Sequence, residues 1–555
     1  MTRKLAIAMA QLNPVVGDIL GNAQMIRDAR ADAQNLGADL VLFSEMIVVG
    51  YPAEDLVLKP FFQDKVVAAV NALAGDTADG GPAIIIGAPW RMDDKLYNAT
   101  MLLDEGEIKA IRPKHQLPNY GVFDEKRVFA QGPMPGAVTF RDAALGLMTC
   151  EDMWAPEVCE CLEETGAEIL LVPNGSPFES DKIDRRMTHA VARVQESGLP
   201  LIYVNQVGGQ DELVFDGASF ALGRDCKLAA QLPSFEASIQ LTRWEDTGDG
   251  WDCVDGSLAK PDEGLDAVYK AMTLGLRDYV NKNGFPGVVL GMSGGIDSAL
   301  SAAVAVDALG ADRVHCVMMP SPYTSVESLE DADHACKLLG VEIDSINIKP
   351  AMDAFAEMLA PIFGDSQSGV TEENVQARAR GLTLMALSNK NGAMVLTTGN
   401  KSEMSVGYAT LYGDMCGGYS VLKDIYKMDV FALCRLRNAG KPSGLDMLGP
   451  DGAVMPERII TKPPSAELRP DQKDEDSLPP YEKLDDILKC LIEGEMGLHE
   501  ITKRGHNPET VQRVWRMLDL AEYKRRQAPP GVKVTSRAFG KDRRYPITNA
   551  FRKIL

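Results

Sequence analysis

The chain has 555 residues, too many for a single hydrophobic core; at roughly 150 residues per domain it should divide into two to four. Apolar residues at 45% and charged residues at 25% are those of an ordinary water-soluble globular protein. Lys+Arg at 57 against Asp+Glu at 79 gives a net charge of −22, which argues against nucleic-acid binding as the main function, because that rests on clustered positive charge; one local basic pocket for a small anion remains open.

The N-terminus, MTRKLAIAMAQLNPVVGD, starts basic, but its apolar run is short and broken by Gln11 and Asn13. It reads as a first strand and not as a signal peptide. No apolar run approaches ~18 residues, so no membrane span is expected. The ten cysteines are scattered, without a Cys-x-x-Cys pair or a nearby histidine at ligand spacing. Cys159 and Cys161 form a lone Cys-x-Cys on an expected helix, where packing is the simpler role than metal binding. Reduced thiols in the cytoplasm are the expectation for most of the set.

Along the first 245 residues, short apolar strands alternate with helical stretches: LAIAMAQL, a helix through Gln24 to Leu36, ADLVLFSE, AIIIGAP, ALGLMTCED, EILLVPNGS and LIYVNQVGG. This is an α/β pattern, whose functional residues are sought at strand ends. Glu45 ends VLFSE, Lys114 sits in RPKHQLPNYGVFDE, and Cys150 ends LGLMTC. Singly these could be a capping acid, a solvated lysine and a buried thiol. Together, in this order and in these contexts, they resemble the Glu-Lys-Cys triad of the nitrilase (carbon–nitrogen hydrolase) superfamily. The resemblance implies an α-β-β-α sandwich and an amide-cleaving thiol. Glu45 would take the proton from Cys150, Lys114 would stabilise the oxyanion, and a thioester would form. Glu125 is either the further acid that many nitrilases carry or a surface acid at a helix start. Tyr51 in GYPAEDL is either a pocket aromatic or packing. Resemblance to the glutamine-hydrolysing members implies a glutamine site at Tyr120, Ser176 and Lys182, with Asp181 standing where those members have glycine.

Residues 246–264 are acidic and rich in turn formers, which reads as an interdomain linker between domains 1–245 and 265–555. A long helix is expected over Leu265 to Lys282. Val288-Val-Leu290 then suits a buried strand, and the glycines Gly291, Gly294 and Gly295 lead into an apolar-periodic helix. Strand, glycine turn and helix N-terminus together make an anion cradle. The Walker loop is ruled out because no lysine follows the second glycine. Gly291-Met292-Ser293-Gly294-Gly295 matches the short nucleophile-elbow pattern, but that leaves Asp297 and Ser298 unexplained. Ser293-Gly-Gly-Ile296-Asp297-Ser298 resembles the pyrophosphate loop of ATP pyrophosphatases, which cleave ATP to AMP and pyrophosphate.

Downstream, RVHCVMMP, ESLEDADHACKLLG and VEIDSINI continue the strand–helix alternation of a doubly wound parallel sheet. Thr371 is expected to N-cap a helix from Asn374 to Asn389, and a polar loop after Thr398 to bear Glu403 and Asp414. SGGIDS, ENVQARARG, LTTGNKSE and GYATLYGD, behind a nitrilase-like domain, resemble the glutamine-dependent NAD⁺ synthetases over essentially the full length. The resemblance implies Mg²⁺ ligands at Asp297 and Glu403, and ATP contacts from Gly291 to Ser298 and at Thr398 and Lys427. It also implies deamido-NAD⁺ contacts at Asn374, Glu403 and Lys524, with Asp414 as a further polar contact. Ammonia-only members carry a lysine where Leu411 stands, so another basic residue should take its place. Pro442 to Pro480, with an acidic clump at Asp471 to Asp476, is either a mobile loop over substrate or a surface excursion. The basic tail around Lys524 reads as a pocket wall or subunit contact rather than a nucleic-acid surface.

The expected function is therefore glutamine hydrolysis coupled to ATP-driven amidation of deamido-NAD⁺, through an internal passage for ammonia. The expected setting is a cytoplasmic homo-oligomer, a dimer of synthetase domains or larger, with small molecules, and neither nucleic acid nor membrane, as partners. Two rivals are adenylation of a different acceptor, such as a tRNA base, and a nitrilase half reduced to a scaffold. The acidic charge and the intact triad argue against them.

Overall fold

The computed structural model describes residues 2–180, 182–246, 248–364, 367, 369–470 and 472–550, and it divides into two compact units, Met1–Glu263 and Gly264–Leu555.

The first unit is built on two sheets. The seven-stranded sheet runs, edge to edge, Trp251–Asp255, Ser238–Asp246, Arg3–Gln11, Leu40–Phe43, Ala83–Met92, Lys95–Asp104 and Glu107–Pro113; the six-stranded sheet runs Leu228–Gln231, Phe220–Leu222, Leu201–Asn205, Ile169–Asn174, Ala143–Leu147 and Val138–Phe140. Successive strand side chains point to opposite faces, which explains how one strand serves two cores. Ile7 and Met9 join Leu42, Leu145, Leu171 and Val204 in a core fed by both sheets. Ala8 and Ala10, between and beside them, pack with Val41 and Phe43 against Ile26, Ala29 and Val70 of the helices Ile19–Leu36 and Pro60–Asp76. The other sheet does the same: Leu170 and Val172 pack with Val158, Ala190 and Val194 of the helices Pro156–Glu164 and Lys182–Ser197. The layers are thus α-β-β-α. Each fully buried Leu, Ile or Val in them contributes roughly 1.5–3 kcal/mol. Trp251–Asp255, inside the segment whose composition reads as a linker, is a strand paired antiparallel with Ser238–Asp246.

The second unit carries a five-stranded sheet in the order Ile343–Ser345, Val314–Met318, Val288–Gly291, Met394–Thr397, Tyr419–Ser420, with every pairing parallel. In chain order this is 3-2-1-4-5, so the order reverses between Val288–Gly291 and Met394–Thr397. Ligands in such sheets bind at that switch, outside the carboxyl ends of the strands. The helix Ile296–Leu309 leaves from the first of these strands, and the short helix Lys401–Val406 from the second.

Two local expectations are corrected here. The helix expected to start at Asn374 runs Val370–Asn391, capped by Gly369, whose N–H donates to Glu372; Thr371 lies in its first turn instead of capping it. Glu403 is not on a loop: it sits in the first turn of the helix Lys401–Val406, whose N-cap Asn400 accepts the Glu403 N–H at 3.0 Å. An asparagine ahead of Lys-Ser-Glu is a cap signal that supplies this reading. Among the described residues, no helix is long and apolar enough to cross a membrane.

Candidate active sites

Glu45 lies just past the carboxyl end of the strand Leu40–Phe43 and is wholly buried. Its Oε1 accepts from Lys114 Nζ at 2.8 Å and Asn98 Nδ2 at 2.7 Å; its Oε2 accepts from the Gly175 N–H at 2.9 Å. Lys114 Nζ also donates to Glu125 Oε1 at 3.0 Å, and Tyr51 OH donates to the same oxygen at 2.8 Å. Glu125 and Tyr51, each open to two readings from sequence, are thus both part of this cluster. Burial opposes the charge on Lys114, but Glu125 and Glu45 more than offset it and hold its pKa well above the usual lysine value. Burial pushes Glu125 up to about 7, with Lys114 pulling the other way.

Cys150 opens the short 3₁₀ turn Cys150–Met153 after the strand Ala143–Leu147. Its φ of +47° places it in the left-handed region that non-glycine residues avoid. Strain of this kind is held only where neighbours over-determine it, and here Asp152 does so. One carboxylate oxygen of Asp152 accepts the Thr149 N–H, and the other accepts the N–H groups of His115 and Gln116, immediately after Lys114. The same side chain thereby ties the cysteine turn to the lysine loop. Burial raises the Cys150 thiol pKa far above normal, and Glu45 adds to this while Lys114 opposes it. The resting group is the thiol, so attack needs a base at that moment. Glu45 and Lys114 are the charged groups that act most strongly on this thiol.

Around this triad, Phe123 packs edge-on to Tyr120 at 5.6 Å between ring centres and lies 5.4 Å from Lys182 Nζ. Tyr120 OH donates to both oxygens of Glu151, at 3.0 and 3.1 Å. Ser176 directly follows the glycine that holds Glu45, and Asn205 and Arg186 fix it. Tyr120, Ser176 and Lys182 therefore fall beside the Cys150 group. Asp181, next to Lys182, lies outside the described residues. Sequence reasoning missed Asn98, Glu151, Asp152, Arg186 and Asp216. A signal existed for Arg186: with Lys182, Ala190 and Val194 it lies on the inward stripe of the helix Lys182–Ser197, where a charged residue needs a buried partner.

In the second unit the loop from Gly291 to Ser298 lines a cavity of about 290 Å³ together with Thr398, Glu403, Asp414 and Lys427. Gly294 has φ +76°, and a Cβ there would sit 2.1 Å from the Ser328 carbonyl oxygen, so only glycine fits. Ser293 and Ser298 face each other at 3.1 Å between hydroxyl oxygens, and Ser293 Oγ accepts the Gly295 N–H at 3.2 Å. Lys427 Nζ donates to Asp297 Oδ2 and, at 2.9 Å, to Glu403 Oε1; Asn400 Nδ2 donates to Asp297 Oδ1 at 2.9 Å. Burial works against the Lys427 charge, but Asp297 and Glu403 keep its pKa above the usual range. Burial pushes Glu403 up to about 7, and the loss of solvation at the cavity wall pushes Asp414 to about 6.

Among the described residues no three His, Cys, Asp or Glu side chains gather as a metal cluster. Asp297 and Glu403 nevertheless converge on one cation, Lys427, at the phosphate loop. Two hard carboxylate donors beside a phosphate cradle fit Mg²⁺, which takes one or two carboxylates and completes its shell with phosphate and water.

Asn374 and Lys524 stand back from the cavity wall. Asn374 Oδ1 accepts from Thr410 Oγ1 at 2.9 Å, and Lys524 Nζ donates to the carbonyls of Gly407 and Ala409 at 2.7 and 2.6 Å. Leu411 uses its carbonyl to accept from Arg378 at 3.2 Å; Arg380, two residues further along the same helix, and Lys462 are basic residues that do line the cavity. So do Lys462–Leu468 and Asp474 of the Pro442–Pro480 segment; Asp471 of its acidic clump lies outside the described residues. Asp474 accepts from Tyr481 OH at 2.8 Å, and the Tyr481 ring lies 5.3 Å from Lys427 Nζ. Neither residue carried a signal in the sequence.

Comparison with known proteins bears on both units. The carbon-nitrogen hydrolase family matches residues 6–248, and the NAD synthase family matches residues 268–528. The glutamine-dependent NAD(+) synthetase of Rhodobacter capsulatus is 49% identical over 552 residues, covering 100% of both chains. That of Acinetobacter baylyi is 42% identical, covering 99% of both. The structure of the glutamine-dependent NAD⁺ synthetase of Acinetobacter baumannii in complex with ADP aligns over 99% of both chains, with 41% identity and a TM-score of 0.78.

Proposed function

The chain belongs to the glutamine-dependent NAD(+) synthetases, and from that premise we propose how its residues divide the work of making NAD⁺ from deamido-NAD⁺, ATP and glutamine. In the first unit the Cys150 sulfur attacks the glutamine side-chain carbonyl carbon while Glu45 takes the thiol proton. The oxyanion forms against Lys114. Glu45 returns the proton to the departing nitrogen, ammonia leaves, and water then cleaves the thioester to give glutamate. Tyr120, Ser176 and Lys182 hold the amino-acid end of the substrate. The clustering of these side chains around one buried thiol supports the assignment.

In the second unit the residues from Gly291 to Ser298, with Thr398 and Lys427, hold ATP. The nicotinate carboxylate of deamido-NAD⁺ attacks the α-phosphorus and pyrophosphate leaves. Ammonia adds to the resulting acyl adenylate and AMP departs, giving NAD⁺. Asn374, Glu403, Asp414 and Lys524 are assigned to the dinucleotide, the first and last by holding the backbone and side chains that border the cavity. Asp297 and Glu403 would hold Mg²⁺, which lowers the repulsion between phosphates and the attacking carboxylate. Lys427, anchored by both carboxylates, keeps a positive charge directed at the same place.

The observation that carries this reading is that one chain holds a buried Cys-Glu-Lys set in one unit and, in the other, a lysine-free Ser/Asp phosphate loop opening on a cavity. We place the enzyme in the cytoplasm, in keeping with its free cysteines. We also take it to be a homo-oligomer: Met358, Ile362, Val370 and Leu382 leave the helices Lys349–Phe363 and Val370–Asn391 with an exposed apolar face. Incubation with ATP, Mg²⁺, deamido-NAD⁺ and ammonium tests the chemistry. AMP, pyrophosphate and NAD⁺ should appear in equal amounts, whereas ADP and phosphate in step with NAD⁺ would defeat the assignment.

A further inference from the structure

Four consecutive residues from the end of the strand Ile169–Asn174, Asn174 to Pro177, serve the Cys150 site in two ways. The Asn174 carbonyl accepts the Glu45 N–H at 3.2 Å, and the Gly175 N–H donates to Glu45 Oε2 at 2.9 Å. Ser176 and Pro177 continue the same turn, and Ser176 is assigned above to glutamine. What holds the turn comes from elsewhere. Arg186, buried on the helix Lys182–Ser197, donates from Nε to Ser176 Oγ at 3.1 Å and from Nη2 to the carbonyls of Ser176 and Pro177 at 2.7 and 3.0 Å. Its Nη1 engages both oxygens of Asp216, at 2.9 and 2.8 Å, and Asp216 is fully buried at the end of the strand Leu213–Asp216. Asn205 closes the arrangement, accepting the Ser176 N–H at 2.9 Å and donating to the Ser176 carbonyl at 3.0 Å.

A buried guanidinium–carboxylate pair is costly to desolvate, and replacing it with apolar residues is often neutral or stabilising. Fold stability alone therefore gives weak reason for this pair. Its donors instead fix three successive acceptors in a planar fork, which lysine cannot reproduce.

We propose that Arg186, braced by Asp216, is a positioning residue for the glutaminase reaction: it clamps the Gly175–Pro177 turn so that one rigid element sets the Glu45 carboxylate and the Ser176 substrate contact together. The proposal rests on the glutaminase assignment given above. It explains why the N–H that holds the base (Gly175) and a substrate contact (Ser176) occupy adjacent positions on one turn: any shift of the turn moves both. It also gives a signature. Loss of a residue that only binds glutamine raises KM, and loss of one that only serves the base lowers kcat. Loosening the clamp does both.

The test is steady-state glutamine hydrolysis by the full chain carrying Arg186→Lys, with ammonium-driven NAD⁺ synthesis by the same preparation reporting the folded fraction. Expected is a fall of roughly a hundredfold in kcat/KM for glutamine, shared between a higher KM and a lower kcat, a size typical of misplacement near a reaction centre. Asn205→Ala, which leaves no buried charge unpaired, should move both constants the same way by a smaller factor. A purely structural role would leave KM for glutamine unchanged in both variants and lower only the active fraction, which would overturn the proposal. A change confined to KM would overturn it as well, since the turn would then not reach Glu45. Absence of glutamine hydrolysis in the unsubstituted protein would instead defeat the glutaminase assignment itself.

Discussion

Each unit buries a lysine between two carboxylates, and the two arrangements are close in form. Lys114 donates to Glu45 and Glu125, and Lys427 donates to Asp297 and Glu403. In each, burial pushes one carboxyl up to about 7, Glu125 in the first and Glu403 in the second. The surroundings differ. Beside Lys114 stands a strained thiol, Cys150, held by a turn that Asp152 locks. Beside Lys427 lies a glycine-rich loop with two serines, opening on a cavity. On the proposed assignments the same ionic unit serves two chemistries: in one it stabilises charge as the protein's own bond forms, and in the other it positions two substrates that react with each other. Removing one partner from either set leaves an uncompensated buried charge, at a cost of about 3–5 kcal/mol.

The largest effect should come from deleting the thiol beside Lys114. Cys150→Ala should lose glutamine-driven NAD⁺ synthesis by several powers of ten, as expected for a covalent nucleophile. It should keep synthesis from ammonium, most visibly at raised pH, where more free ammonia is present. Loss of both activities in a folded variant would break the division between the units.

Swapping the lysines sharpens the comparison. Lys114→Met should lower glutamine hydrolysis by about a thousandfold, the scale of removing an oxyanion donor, and spare ammonium-driven synthesis. Lys427→Met should lower synthesis from both nitrogen sources and spare glutamine hydrolysis. Paired assays of glutamate and NAD⁺ formation separate the two patterns; identical profiles would mean that the lysines do not belong to separate reactions.

Much of this was legible in the sequence because it is local. The loop Gly291–Ser298 is contiguous, and Glu45 and Cys150 each close a strand, so motif and periodicity locate them. What escaped is non-local. Asn98 and the Gly175 N–H meet on Glu45 from positions 53 residues ahead and 130 residues ahead of it. Asp474 and Tyr481 reach the Lys427 group only through the path of the Pro442–Pro480 segment. Sequence alone puts Glu403 on a loop because its helix, Lys401–Val406, is too short to show a period. Lys427, an ATP contact by resemblance, is buried because two acids that follow different strands converge on it.

Smaller effects test the surroundings. Tyr51→Phe removes one donor from Glu125 and should lower glutamine hydrolysis by about tenfold, the worth of a hydrogen bond to a charged group, with synthesis from ammonium unchanged. Asp414 lines the cavity, and the loss of solvation there holds it at about 6, above the ordinary aspartate value of 3.8. The folded protein therefore keeps this proton where the unfolded chain has lost it. The stability it contributes is full below about pH 4, falls as pH rises to about 6, and is constant beyond. Thermal melts should show Asp414→Asn gaining on the unsubstituted protein from pH 4 to pH 6 and no further above. A difference that does not vary with pH would remove the proton from the account.

The central claim is that nitrogen freed at Cys150 becomes the amide of NAD⁺ made at the Asp297 loop. The direct measurement supplies glutamine labelled with ¹⁵N at the side-chain amide, with ATP, Mg²⁺ and deamido-NAD⁺, and reads the product by mass spectrometry. The account predicts ¹⁵N in the carboxamide of NAD⁺, with one glutamate and one AMP formed for each NAD⁺. Glutamate formed alongside unlabelled NAD⁺, or labelled ammonia released with no NAD⁺ made, would contradict it.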